Sequence, residues 1–205
     1  MAKALVELVE RAVPHAVLSK HSQHGDDTIV VDPAKWHDVA VFLKSDPKAD
    51  MSMLMDLTAV DYLGDEPRFE VVAHFYSLAK GHRLRMKARV GNADGSAARI
   101  ASLADLWGSA NWLERECWDM FGIVFEGHPD LRRILLYPEF EGHPLRRDYA
   151  ADAIQPLVIY RDAPAIDKVA PFRGDEGMSF GRQTHDQVPS AEAPDPELFP
   201  DSKAN

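Results

Sequence analysis

Nine histidines and a single cysteine are the first residues in this chain to weigh for chemistry. Glu126-Gly127-His128-Pro129 and Glu141-Gly142-His143-Pro144 repeat the tetrapeptide EGHP, and each copy is followed by an arginine pair, Arg132-Arg133 and Arg146-Arg147. Two glutamates and two histidines brought together could supply the four ligands of a metal site. The glycines and prolines around each histidine are turn chemistry, so two structural turns are the better reading. His21 and His24 lie three apart in a polar stretch with His15 nearby, a pattern of solvated turn histidines rather than of convergent ligands. Cys117 has no partner for an internal disulfide and cannot hold an iron–sulfur cluster, which takes four thiolates. With no evident base to activate it, it reads as a small buried hydrophobe. No G-x-G-x-x-G, P-loop or G-x-S-x-G is present. Arg83, Arg85, Lys87 and Arg89 alternate along one segment and could meet RNA on a sheet face. Recognition of that kind needs stacking aromatics, and the neighbouring strand offers only His74 and Tyr76. A solvated or partner-facing surface fits better.

The framework that must position these groups is modest in size. The chain has 205 residues, of which 45% are apolar. That composition suffices for one buried core. The longest apolar run is Val39–Leu43, far short of the ~20 residues of a membrane span. Met1-Ala2-Lys3 leads directly into an amphipathic pattern without a signal-peptide block, which implies a cytoplasmic protein. A balance of 23 basic against 33 acidic residues, net −10, argues against general binding to nucleic acid or anionic membranes.

Leu5, Leu8, Val9, Ala12 and Val13 form the stripe of a helix over 4–13, ended by Pro14. A strand begins at Ala16-Val17-Leu18, Lys20–Asp27 reads as a hairpin turn, and Thr28–Val31 as the return strand. Asp32-Pro33 is a helix start, and Trp36, Val39, Ala40 and Leu43 line one face of that helix. Residues 51–60 read as a strand. Phe69, Val71, Ala73 and Phe75 alternate with Glu70, Val72, His74 and Tyr76. Leu84, Met86, Ala88 and Val90 alternate with the cationic strip. These three strands with short turns predict an antiparallel meander. Ser102 caps a turn before Leu103, and residues 110–121 read as a helix with Ala110, Leu113, Cys117, Met120 and Phe121 on its apolar face, ended by Gly122. The fold class expected is α+β: two layers, a mixed and largely antiparallel sheet with helices on one face, and an extended C-terminal tail. The domain boundary falls at about residue 150. Residues 151–205 are acidic and proline-rich, and 162–205 carry nine acids against four bases. Such a segment buries little alone and is disordered or ordered by a partner. Phe172, Phe180 and Leu198-Phe199 are candidate anchors within it.

Residues 111–149 are the most unusual stretch. Glu114, Arg115, Glu116 and Asp119 crowd one helix, with Arg115 and Asp119 as i, i+4 neighbours. The loop beyond carries four arginines in two pairs. Charges this dense are retained when paired or set against an opposite surface. This stretch resembles a known family, the C or 30 kDa subunits of the proton-translocating NADH–quinone oxidoreductase, respiratory complex I. The family signature opens E-R-E, matched by Glu114-Arg115-Glu116. It continues with an acid and two apolar residues, matched by Asp119 and Met120-Phe121. His128, Arg132 and Ile134-Leu135 complete the pattern, and Gly142–Tyr149 match the later G-H-P-L-R-[KR]-D-[YF]. The match runs without gaps over about 40 residues, and the order of elements upstream is compatible over about 1–150. The tail beyond Ala150 matches no family motif.

The resemblance implies a non-catalytic structural subunit of the peripheral arm, with no cofactor of its own; FMN and iron–sulfur clusters belong to partner subunits. It implies packing against the D and B subunits, the quinone-reducing module, on the cytoplasmic face of the bacterial inner membrane. The residues it marks for ion pairing and loop positioning at a subunit interface are Glu114, Arg115, Glu116, Asp119, His128, Arg132, Arg146, Arg147, Asp148 and Tyr149. Catalytic and metal-binding residues are expected to be absent. Membrane-bound [NiFe] hydrogenases and other quinone or ferredoxin oxidoreductases use similar subunits and remain the alternative. A metal hydrolase built on the EGHP pairs and an RNA-binding module are the rivals from other classes.

Overall fold

A computed structural model describes residues 2–23 and 25–158. The elements in chain order are helix α1 (Ala2–Ala12), strands β1 (Val17–Gln23) and β2 (Asp26–Val31), a 3-10 turn (Pro33–Lys35), and helix α2 (Trp36–Ser45). They continue with β3 (Met53–Asp61), β4 (Phe69–Tyr76), β5 (Arg83–Val90), β6 (Arg99–Ala101), α3 (Gly108–Phe121) and β7 (Val124–Glu126). Five strands form one sheet in the order β1-β2-β5-β4-β3, and β6-β7 form a second, two-stranded one. All pairs in the main sheet are antiparallel except β2–β5, where Thr28, Ile29 and Val30 run parallel to Arg85, Met86 and Lys87. The fold is therefore α+β with a mixed, largely antiparallel sheet.

The period-2 alternation decides which face is covered. Ile29, Leu57, Phe69, Val71, Phe75, Leu84, Met86 and Ala88 join Val9, Trp36, Val39, Leu43, Ala110 and Phe121 in one core. The helices thus share one face of the sheet. The opposite face carries the cationic strip. Lys87 pairs with Glu70 at 2.8 Å, Arg89 pairs with Asp65 at 3.3 Å and lies over Tyr62, and Arg85 donates to Thr28 Oγ1 at 3.4 Å. Their aliphatic stems shield the centre of this face, where Val72 is only 6% exposed.

Several local expectations shift. The polar stretch 20–27 is mostly strand, since β1 extends to Gln23 and β2 starts at Asp26. As a sheet edge, β1 exposes both its faces, so polar composition there does not require a turn. Asp32 caps as expected, accepting from Ala34 N at 2.9 Å, but the cap opens a single 3-10 turn before α2 begins at Trp36. The alternation in β4 predicts a half-buried strand, yet six of its eight residues are buried, because strands flank it on both sides. The compact unit runs Met1–Leu157. The tail anchors Phe172, Phe180 and Leu198-Phe199 lie outside the described residues, as does His24. Among the described residues, no helix is long and apolar enough to cross a membrane.

Phe75 ties the sheet to the segment entering α3: it is fully buried and packs on Trp107 with ring centroids 5.0 Å apart. Phe75→Ala is expected to cost about 3–5 kcal/mol, read as a lowered urea midpoint with unchanged slope.

Candidate functional site

α3 is covered on two sides. One face packs against β3 and the core. The other receives the loop after β7, and there the charged residues cluster. Gly122 closes the helix in the left-handed conformation, φ 75°. A side chain there would be forced against Arg146 and His143: an added Cβ would sit 2.5 Å from Arg146 Nη2 and 2.6 Å from the His143 ring. Glycine at this point lets the loop lie close against the end of the helix.

Asp119 organises the loop. It is fully buried. Its Oδ2 accepts the successive backbone N–H groups of Ile134, Leu135 and Leu136 at 3.0–3.1 Å, and its Oδ1 accepts from Arg133 Nη1 at 2.6 Å. Burial opposes the charge, but those N–H groups and the guanidinium outweigh it and hold the carboxyl below its usual range. Arg133 also donates to the carbonyls of Phe140 and Gly142. Arg115 does not pair with Asp119. Its Nε and Nη2 donate to the carbonyls of Arg132 and Arg133 at 3.1 and 3.0 Å. Carboxylate and guanidinium one turn apart therefore grip adjoining parts of one strap, the former through N–H groups and the latter through C=O groups.

A second clamp joins the loop to the sheet. Arg68 and Asp61 flank the β3–β4 turn, and their side chains are 1% and 2% exposed. Arg68 forks onto Asp61 with two bonds of 2.7 Å and onto Asp148 with bonds of 3.0 and 2.9 Å. Asp61 Oδ2 also accepts the backbone N–H of Arg147 at 2.9 Å. The Arg68 guanidinium holds both Asp61 and Asp148 below the usual carboxylate range, and the two carboxylates raise its own pKa in return. Arg146 donates from Nε to the Phe121 carbonyl at 2.5 Å. Arg68 and Arg146 both stack on Phe69, at 5.1 and 5.3 Å. Burial and the neighbouring Arg68 charge lower the Arg146 pKa, with burial the larger effect.

Glu114 makes the third attachment, and among the described residues no cation pairs with it. Fully buried, it accepts from Ser102 Oγ and from Leu103 N, both at 2.6 Å, and so fixes the turn that Ser102 caps. Burial pushes its carboxyl up to about 7, against the lowering effect of those two bonds.

The EGHP histidines are committed to backbone groups. His128 Nε2 donates to the Asn111 carbonyl at 3.1 Å, and its Nδ1 accepts from Asp130 N at 3.0 Å. His143 Nδ1 donates to the Asp119 carbonyl at 2.9 Å, and burial lowers the pKa of that ring. Among the described residues, no group of three or more His, Cys, Asp or Glu is placed to hold a metal. Cys117 is buried, and burial pushes its thiol up, away from the thiolate.

The ten residues marked in the sequence thus divide. Glu114, Arg115 and Asp119 are buried within this chain, Glu114 bonded to the turn at Ser102-Leu103 and the other two to the loop. Asp148 serves Arg68. Tyr149 stacks on Phe140 at 6.2 Å, and its hydroxyl accepts from Gln155. Arg146 and His128 are bonded to carbonyls within the chain. Glu116 and Arg147 are exposed, and Arg132, also exposed, pairs with Asp130 at 2.9 Å. Two central residues, Asp61 and Arg68, escape the sequence reading, and Arg133 enters it only as one of the loop's paired arginines. Asp61 left a signal, since it continues the buried set Leu57 and Ala59 and so puts a carboxylate on the covered face of β3.

The strap of loop is thus clamped to one helix, through Asp119 and Arg115, and to one end of the sheet, through Arg68. Residues 29–155 match the family model described as respiratory-chain NADH dehydrogenase, 30 kDa subunit, and the chain belongs to that family. It is 48% identical over 140 residues to the C subunit of the NADH-quinone oxidoreductase of Roseiflexus castenholzii, covering 68% of this chain and 79% of that protein. The fold resembles a trypsin-resistant fragment (1–134) of Nqo5, with TM-score 0.53 and 33% identity over 62% of this chain and 98% of the fragment. It also resembles a chain of the membrane-bound sulfane sulfur reductase, an archaeal respiratory membrane complex. There the TM-score is 0.61 and the identity 25%, over 73% of this chain and 85% of that one.

Titration and proteolysis both test these assignments. Because Glu114 binds its proton more tightly folded than unfolded, it contributes stability that is full below pH ~4.5 and lost as pH rises to about 7. Asp61, Asp119 and Asp148 act in the opposite sense at lower pH, since their depressed pKa values add stability as they ionise. The difference between wild type and Glu114→Gln isolates the first effect: the wild type loses up to about 3 kcal/mol relative to the variant across that window. Asp119→Asn leaves Arg133 partly buried and unpaired, and is expected to cost ~3 kcal/mol or more and to speed trypsin cleavage after Arg132 and Arg133.

Proposed function

We propose that this chain is a non-catalytic structural subunit of the peripheral arm of an NADH–quinone oxidoreductase that couples electron transfer to proton translocation. It packs on the quinone-reducing module, against the D and B subunits, and is held at the cytoplasmic side of the inner membrane by those partners. The observation that carries this is the clamped strap. Arg133, Arg146 and Asp148 are engaged in internal bonds that fix the shape of the loop, as suits a surface presented to a partner, and its sequence is part of the family signature. FMN and iron–sulfur clusters are assigned to the partner subunits. The likeness to a chain of a sulfane sulfur reductase complex favours one second reading, an equivalent subunit of a related membrane-bound oxidoreductase such as a [NiFe] hydrogenase.

The test is an affinity pull-down of the tagged full chain from mildly solubilised native membranes, with an assay for NADH-driven quinone reduction and partner identification by mass. Recovery of the D and B subunits with that activity supports the first reading. Hydrogenase or sulfur-reductase subunits move it to the second, and a chain recovered alone overturns both. Arg147, exposed and bonded among the described residues only through its backbone, to Asp61, separates docking from folding. Arg147→Ala is expected to lower recovery of the complex while the thermal midpoint of the chain stays unchanged.

A further inference from the structure

α3 presents one large apolar residue that its own fold leaves uncovered. Trp112 is 59% exposed. The Arg115 guanidinium lies over its ring at 5.3 Å, and that guanidinium is itself pinned by the carbonyls of Arg132 and Arg133. The indole is therefore held against a fixed support, so little side-chain freedom remains to be lost on binding. Further along the same seam between helix and loop, Leu135 is 61% exposed while its N–H is held by Asp119. Asp119 lies seven residues beyond Trp112, about 10 Å along the helix, so Trp112 and the point at which the Leu135 backbone is held lie along one ridge of α3. Glu116, one turn from Trp112 on the same face, is exposed as well.

We propose that this ridge, with Trp112 as its anchor, inserts into an apolar pocket of another subunit of the same complex. The proposal rests on the chain being a subunit of such an oxidoreductase. The pocket must offer a carbonyl or carboxylate to the indole N–H once water is excluded and a cation to Glu116. An anionic membrane surface is the poorer occupant, because Glu116 and the chain's net charge of −10 repel it. Preorganised tryptophans backed by arginine are the kind of residue that dominates an interface.

The experiment places a photo-crosslinking amino acid at position 112 of the full chain in native membranes. The control carries it at Leu78, 69% exposed on the turn between β4 and β5. The expected result is a crosslink from position 112, and not from 78, to an identified subunit of the oxidoreductase. In parallel, Trp112→Ala is expected to cut the chain recovered in the complex roughly tenfold, with Trp112→Phe restoring the part that apolar contact supplies but not the part that needs the indole N–H. A crosslink to residues 159–205 of the chain itself, to a second copy or to lipid overturns the proposal. So does an intact, active complex in which position 112 yields no crosslink. If no complex is recovered with the wild-type chain, the parent reading fails and this one with it. The crosslink does not depend on how well Trp112→Ala folds.

Discussion

The strap that follows β7, residues 127–149, depends on a buried carboxylate. Residues 127–149 form no helix or strand, and their prolines rule out long regular elements. Their backbone N–H groups need acceptors if the segment is to lie against the protein. Asp119 serves three of them from a single oxygen, and Arg133 neutralises the charge that this concentrates. The cost of burying an ion is offset only when its remaining lone pairs are filled, and here they are. The strap is therefore ordered by specific bonds rather than by a core of its own.

The strap in turn seals the end of the sheet. Arg68 directs four N–H bonds to two carboxylates, one from β3 and one from the strap. Phe69 packs against two guanidiniums, that of Arg68 and that of Arg146. Charge and aromatic packing reinforce each other in one small volume, and loop, sheet and helix end are joined there.

Much of this architecture is legible in the sequence. The alternation in 69–76 and 83–90 identifies the meander and its covered face, and Gly122 marks the end of α3. The signature stretch points to the right helix and loop. Which charges turn inward cannot be read there. The apolar stripe Ala110, Cys117, Met120 and Phe121 shows one buried side of α3, but a helix covered by a loop as well hides its charged side too, and periodicity carries no mark of that. Glu114, Arg115 and Asp119 therefore look like surface groups. Asp61 shows its burial in the alternation of β3 but not its partner, and Arg68 escapes because Asp148 lies 80 residues away, a pairing too distant to leave a local pattern. The glycine and proline neighbours of His128 and His143 mark turn residues, and the backbone hydrogen bonds of both rings are of that kind.

The two clamps also bear on the order in which the protein is made. β3, β4 and β5 pair with their neighbours in sequence, so the meander can form soon after it leaves the ribosome. Asp61 and Arg68 emerge early and find each other across a short turn. Asp148 and the Arg147 N–H that complete their bonding arrive about 80 residues later, which at ~5–20 residues per second is a delay of several seconds. Through that interval the nascent sheet ends in an unsealed pair of charges. A chain truncated before Asp148 would be left in that state for good, carrying the sheet of the finished protein without its closure.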